Sequence, residues 1–301
     1  MRVIDAHTHT WTKDIISKED LKAREITAQR AGIEPQTDSP IEKLDSAMKQ
    51  SGVERAIILP IDSGVNQNMP LSLKEKTDWH AEEVSHYSNI VTFVGLDPRR
   101  GEKGVRELER AVKEKKCRGW KMYPPNGFYP DDKAFYSYYE KCVELDIPIV
   151  IHTGFTSRFK HVKYAQPVFV DKVAADFPTL KIVLAHVGVP WTDEALMVAS
   201  KNPNVSVDVS GWQVYASQTP IKVHQMIAEA KMMRVFPNRM LFGSDFPLFE
   251  YAMLLKDWVQ FFTELRIADE LVERGYPQVT EEEIELFMWK NAARLFFGEK
   301  V

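Results

Sequence analysis

Eight short apolar runs, each followed by a stretch of helical character, leave this chain very few ways to fold. The runs are Val3–His7, Ala56–Pro60, Val91–Leu96, Gly119–Tyr123, Ile149–His152, Ile182–His186, Val205–Val209 and Met240–Ser244. A brief apolar run bounded by turn formers reads as a strand covered on both faces, the habit of parallel sheets. Several intervening helices carry start signals. Ser39-Pro40-Ile41-Glu42 offers a cap, a proline at the first helical position and a capping-box glutamate. Ser72-Leu73-Lys74-Glu75 and Thr280-Glu281-Glu282-Glu283 repeat the box, and Thr219-Pro220 supplies a cap before proline. Eight β-then-α units in 301 residues predict an α/β chain folded as one (β/α)8 TIM barrel, a single domain over 1–301. The segment Thr10–Asp38 is an insertion after the first strand, placed over the active face as a lid or a homodimer contact. Two helices follow the eighth strand, one from about Leu248 to Arg266 and an extra C-terminal one from Glu281 through Phe296.

Loop lengths orient the barrel. Helix-to-strand connections are short: Ser51–Val53, Leu145–Pro148, Asn202–Asn204 and Phe236–Asn238. Strand-to-helix connections are longer and richer in aromatic residues: Ile61–Leu71, Pro124–Asp131, Thr153–Pro167 and Gly211–Gln218. In such barrels the strand-to-helix loops build the active site. His7, His9, His152, His186 and Asp245 all close apolar runs on that side. His7 and His9, two apart on a strand, point to one side. Imidazoles and a carboxylate gathered at one rim suit a divalent transition metal, with an imidazole left over to move protons. The remaining histidines, His80, His86, His161 and His224, read as solvated or packed side chains. Asp5 and Asp208 are candidates for orienting neighbours.

Composition excludes other classes. A net charge of −4 without any basic run argues against nucleic-acid binding. Two cysteines, Cys117 and Cys142, without Cys-x-x-Cys spacing read as free thiols in a reducing compartment. No signal-peptide pattern or membrane-length apolar stretch is present, so the expectation is a soluble cytoplasmic protein with a small-molecule substrate and no membrane partner.

Asp5-Ala6-His7-Thr8-His9, Gly119-Trp120-Lys121-Met122-Tyr123-Pro124, Ile151-His152-Thr153-Gly154, Ala185-His186-Val187-Gly188, Phe242-Gly243-Ser244-Asp245-Phe246-Pro247 and Asn291-Ala292-Ala293-Arg294-Leu295-Phe296, in that order, resemble the amidohydrolase superfamily over essentially the whole chain. The nearest branch is the amidohydrolase-2 group, with its aminocarboxymuconate-semialdehyde decarboxylase-like enzymes and lactone hydrolases. The resemblance implies one divalent ion, zinc first and manganese second, held by His7, His9, His152 and Asp245. It also implies His186 as the acid–base residue, with Asp245 sharing proton transfer. Dihydroorotase-like relatives carry a carboxylated lysine between two metals near the position of Lys121. A substrate-facing or ligand-orienting Lys121 is preferred here to that second-metal arrangement. TatD-type nucleases expect a glutamate where Lys121 stands, which disfavours a nuclease.

The function expected is a metal-dependent hydrolase in which an activated water attacks a small carboxylate-bearing cyclic, lactone or amide substrate. The alternatives are a non-oxidative decarboxylase of an aromatic or muconate-type acid, and a catalytically silent metal-binding protein. Lys121, Tyr123, Arg158, Trp11 and Trp212 are the expected substrate contacts, since cations would hold a carboxylate and aromatics would cover a ring.

Overall fold

The computed structural model describes residues 1–65 and 69–301 of the chain; residues 66–68, inside the expected Ile61–Leu71 loop, lie outside the described residues. Among the described residues nine short strands run in chain order: β1 (Ile4–Thr8), β2 (Arg55–Ile58), β3 (Ile90–Thr92), β4 (Val94–Gly95), β5 (Trp120–Met122), β6 (Ile149–Ile151), β7 (Ile182–Leu184), β8 (Val205–Asp208) and β9 (Met240–Leu241). Each pairs in parallel with its neighbour, β1 through β3 in one ladder and β4 through β9 in another. β3 and β4 are one barrel stave, the expected Val91–Leu96, broken at Phe93. There the backbone changes partner: Phe93 N–H donates to Ile58 O at 3.0 Å, and Val94 N–H donates across to Gly119 O at 2.9 Å. Beyond β9 the chain continues alongside β1 and closes the barrel. Ala6 N–H reaches Phe242 O at 2.9 Å, Asp245 N–H reaches His7 O and His9 N–H reaches Phe246 O, both at 2.8 Å. The result is a (β/α)8 barrel.

The helices are α1 (Lys18–Ala31), α2 (Ile41–Ser51), α3 (Leu73–Ser85), α4 (Glu102–Lys113), α5 (Tyr136–Glu144), α6 (Val168–Asp176), α7 (Thr192–Lys201), α8 (Gln213–Gln218), α9 (Pro220–Met232), α10 (Leu255–Thr263), α11 (Asp269–Val272), α12 (Glu281–Glu285) and α13 (Asn291–Phe297). The capping boxes expected at Ser72–Glu75 and Thr280–Glu283 are both formed. Two expectations need correction. Ser39 does not cap α2; its backbone pairs with Trp11 in both directions, which leaves Pro40 at the cap position. The helix expected from Leu248 begins only at Leu255, because Leu248 and Phe249 are drawn down to line a cavity.

Alternation along the strands sorts their side chains into two layers. Trp120, Met122, Ile149, Ile151, Ile182 and Leu184 pack outward against the helices. Ile4, Ile57, Phe93, Val150, Val183 and Leu241 fill the barrel, whose floor is stopped by Ala292, Ala293 and Phe296 of α13. Each such aliphatic side chain contributes roughly 1.5–3 kcal/mol by leaving water. Cys117 and Cys142 are free and buried, as expected. Among the described residues no helix is long and apolar enough to cross a membrane.

Candidate active site

Above the apolar plug, at the carboxyl ends of the strands, the interior turns polar. A register irregularity between Asp5 and Thr8 lets both Ala6 and His7 face inward, so β1 delivers an apolar residue and an imidazole to the same interior. His7 and His9 stand with ring centroids 5.1 Å apart. Asp5 sits behind them and ties the two ends of the barrel together. It accepts from His7 N–H at 3.1 Å, Ser244 N–H at 3.0 Å and Ser244 Oγ at 2.5 Å. Burial raises its pKa to about 7 against those hydrogen bonds.

The hydrogen-bond partners fix which imidazole nitrogens carry protons. His9 Nδ1 lies 2.7 Å from Leu59 O, and a carbonyl only accepts, so this nitrogen bears the hydrogen. In the neutral ring Nε2 therefore presents a lone pair, yet it stands 2.8 Å from Asp245 Oδ1. His7 Nδ1 donates to Asp208 Oδ2 at 2.9 Å, and its Nε2 lies 3.6 Å from the same Asp245 oxygen. Burial, with Lys121 adding to it, pushes His7 down to about 3 and keeps it neutral. Asp245 Oδ1 is buried without a properly directed hydrogen bond. Burial opposes its charge, but His9 and His7 hold its pKa below the usual carboxylate range.

Three acceptor atoms thus converge on one point, all within 4.8 Å of one another. Lone pairs crowded together in a buried site repel one another and favour a cation among them. The spacings match neighbouring donors on an ion with bonds of about 2.1 Å, so the residues present fit a divalent metal. Lys121 Nζ stands 3.2 Å from His7 Nε2 and brings positive charge there. Burial lowers Lys121 to about 8, with Asp208 and Asp245 opposing.

His152 and His186 form a second group. His186 Nε2 lies 3.2 Å from His152 Nδ1, while the outer nitrogens face carbonyls: His152 Nε2 to Phe155 O at 2.7 Å and His186 Nδ1 to Ser210 O at 3.0 Å. Two neutral rings carry only two N–H groups. Satisfying both carbonyls and the inter-ring bond takes three, and Ser210 Oγ, 2.8 Å from His186 Nδ1, is a further partner for that nitrogen. Burial lowers both pKa values and so favours the neutral rings. His152 is not among the three converging atoms; bringing it to them costs its link to His186.

Backbone geometry sets these side chains. His186, Val187 and Asp245 have positive φ angles of 62°, 44° and 56°. Such conformations cost about 1–3 kcal/mol each and persist only where the surroundings impose them. Asp208 Oδ1 accepts His186 N–H at 3.1 Å and Ser210 N–H at 3.0 Å. Trp212 Nε1 donates to His186 O at 2.8 Å.

A cavity of about 330 Å³ opens over this floor. Of the expected substrate contacts, Trp11, Tyr123 and Arg158 line it, Arg158 from an exposed position. Lys121 lies beneath it against His7, and Trp212 is buried behind His186. The insertion forms the cavity's roof through Ile15, Ile16, Ala23, Arg24 and Ala28. It is pinned there by Ser63 Oγ donating to Asp20 at 2.6 Å and by Gln36 Nε2 donating to Pro247 O at 2.7 Å. Sequence reasoning missed Arg24, Phe155 and the position of His80, which packs edge-on to Trp79 and borders the cavity. The one local signal for Arg24 was the small residues Ala23 and Ala28, which mark the buried face of α1.

A family model described as "Amidohydrolase" matches residues 4–298. A 2-keto-4-carboxy-3-hexenedioate hydratase from a Sphingobium strain is 35% identical over 101 residues, 28% of this chain and only 30% of that protein's length. The fold is shared with 5-carboxyvanillate decarboxylase from Sphingomonas paucimobilis (TM-score 0.67, 16% identity, 98% of this chain and 99% of that one). It is shared equally with a zinc-bound amidohydrolase from Burkholderia multivorans (TM-score 0.68, 18% identity, 99% of each chain).

Proposed function

The chain belongs to the amidohydrolase family, and we propose that it is a metal-dependent hydrolase acting on the carbonyl of a small cyclic, lactone or amide substrate. Convergence of His7 Nε2, His9 Nε2 and Asp245 Oδ1 on one point carries this reading. These three would hold a divalent ion, zinc by preference for two imidazoles and a carboxylate, with His152 the further donor named from the sequence. Such an ion supplies Lewis acidity towards a carbonyl and makes water a usable nucleophile at neutral pH.

The rest falls to side chains of this protein. Asp208 keeps the proton of His7 on Nδ1, so that Nε2 stays a donor to the ion. His186 lines the cavity floor and handles protons: it accepts one from the attacking water and returns it to the leaving oxygen or nitrogen. Trp212 and Asp208 hold the backbone of His186 so that its ring stays over the floor. The α1 roof excludes water from the reacting groups.

A carboxy-lyase is favoured by one observation. Ile15, Ile16, Phe155, Leu248 and Phe249 give the cavity largely apolar walls, and an apolar setting disfavours a carboxylate relative to the charge-dispersed state that loses carbon dioxide. Product analysis on small lactones and on aromatic or muconate-type acids separates the two: ring opening without gas means hydrolysis, and carbon dioxide release means decarboxylation. His186→Asn should keep bound metal while losing at least about a hundredfold in kcat, within the usual range for a general acid–base. Undiminished turnover in that variant refutes the assignment of His186, and a wild-type protein that retains no metal after zinc loading refutes the whole reading.

A further inference from the structure

We propose that Arg24 and Trp11, both carried by the inserted segment, form a carboxylate-binding subsite in the roof of the cavity. The substrate is then a small organic carboxylate whose charge lies under α1. The inference deepens the proposed function and rests on it for the identity of the ligand as a substrate.

Four cationic side chains border the cavity, and three are accounted for. Lys76 Nζ donates to Ile61 O at 2.7 Å. Lys160 Nζ donates to Ser63 O at 2.8 Å and Asn126 Oδ1 at 2.7 Å. Arg158 is exposed and lies over the Phe159 ring at 5.7 Å. Arg24 differs from all of them. Its guanidinium stacks on the Trp11 ring at 3.7 Å, and its Nε is sealed from solvent without a hydrogen-bond partner. No ion pair holds it among the described residues; Oδ2 of Asp20, one turn back on α1, accepts from Ser17 and Ser63. Burial depresses its pKa to about 10, opposed by Asp20, Asp245 and Tyr123, so it is charged at neutral pH.

Trp11 has the same deficit. The residue is 5% exposed, lines the cavity, and its Nε1–H is buried with no acceptor. Indole N–H and guanidinium N–H groups can only donate. Two stacked donor-only groups on one cavity, each with a sealed and unspent N–H, are complementary to an acceptor-only anion. The planar fork of an arginine matches the two oxygens of a carboxylate, and the apolar walls suit an organic body attached to it. Most buried polar groups are paired, and of the few left without a partner here these two are stacked donors on the lining of one cavity, where a ligand can complete them.

The test compares benzoate with benzamide, its neutral isostere, by calorimetric titration of the zinc-loaded protein. Benzoate is expected to bind at least about thirtyfold more tightly, the least that truncating a buried charge pair usually costs. Arg24→Met should abolish the preference, Arg24→Lys should keep part of it, and Trp11→Phe should weaken benzoate a few-fold while leaving benzamide unchanged. Unchanged melting temperatures establish that the variants are folded, and Arg24→Lys carries the test if Arg24→Met is not. An equal preference in wild type and Arg24→Met, or inorganic phosphate binding more tightly than benzoate, overturns the subsite. Metal content and turnover are read separately: Arg24-dependent benzoate binding by a protein without metal or activity leaves the subsite standing and sinks only the proposed function.

Discussion

Asp208→Asn is the most informative substitution because it leaves the shape of the site intact and changes one proton. In the native protein both Asp208 oxygens accept: Oδ1 from the His186 and Ser210 amides at 3.1 and 3.0 Å, Oδ2 from His7 Nδ1 at 2.9 Å. An asparagine must turn its carbonyl oxygen towards the two amides, since backbone N–H groups cannot be satisfied by an NH2. Its amide hydrogens then face His7 Nδ1, which becomes an acceptor, and the ring proton moves to Nε2. The nitrogen that faces Asp245 Oδ1 becomes an N–H and can no longer bind a cation. Losing an outer partner of a ligating histidine typically costs 10–100-fold in metal affinity, or about 1.4–2.7 kcal/mol. The tautomer reversal places Asp208→Asn near the upper end. Zinc affinity from chelator competition should fall by that factor, and nitrogen-15 spectra of the imidazoles should show His7 protonated at Nε2. Unchanged affinity together with an unchanged His7 tautomer would refute the reasoning.

Other perturbations probe the frame around the site. Trp212→Phe removes the donor to His186 O and leaves a buried carbonyl unpaired, a cost of about 1–3 kcal/mol; kcat should drop with KM little changed, and a fall in KM alone would contradict the positioning role. Gly154 has φ +86°, and a Cβ there would lie 2.4 Å from Val189 O, whereas Gly275 at φ +92° faces open space. Gly154→Ala should therefore lower the melting temperature by at least about 5 °C more than Gly275→Ala, and equal losses would deny the clash. Burial pushes the Cys117 thiol up to about 12 from an ordinary 9. Because the folded state keeps this proton longer than the unfolded chain, the stabilisation is complete below pH 9 and is lost as pH rises towards 12, by up to about 4 kcal/mol. Cys117→Val should flatten that alkaline slope in denaturant titrations, and native protein at pH 8 should leave both thiols unmodified by a disulfide reagent.

Much of the architecture was readable in the chain because buried parallel strands write themselves as short apolar runs. The parallel order, the insertion after the first strand and the closing helix follow from such local patterns. The break at Phe93 and the late start of α10 do not. Both arise where a backbone must serve two neighbours at once, Ile58 and Gly119 at Phe93, and the barrel and the cavity at Leu248.

Residue types at strand ends single out His7, His9, His152, His186 and Asp245 from the sequence, since a shared ligand makes several imidazoles at one rim economical. Which nitrogen of each ring carries a proton depends on Leu59 O, Asp208 and Ser210, partners up to 203 positions away in the chain. The same holds for Lys121 settling against His7, for His152 turning to His186, and for Arg24 stacking on Trp11 over the cavity without an ion pair among the described residues. Hydrophobic periodicity is a property of neighbours along the chain and survives in the one-dimensional text. Proton placement and charge pairing are properties of neighbours in space, and exist only once the barrel has closed.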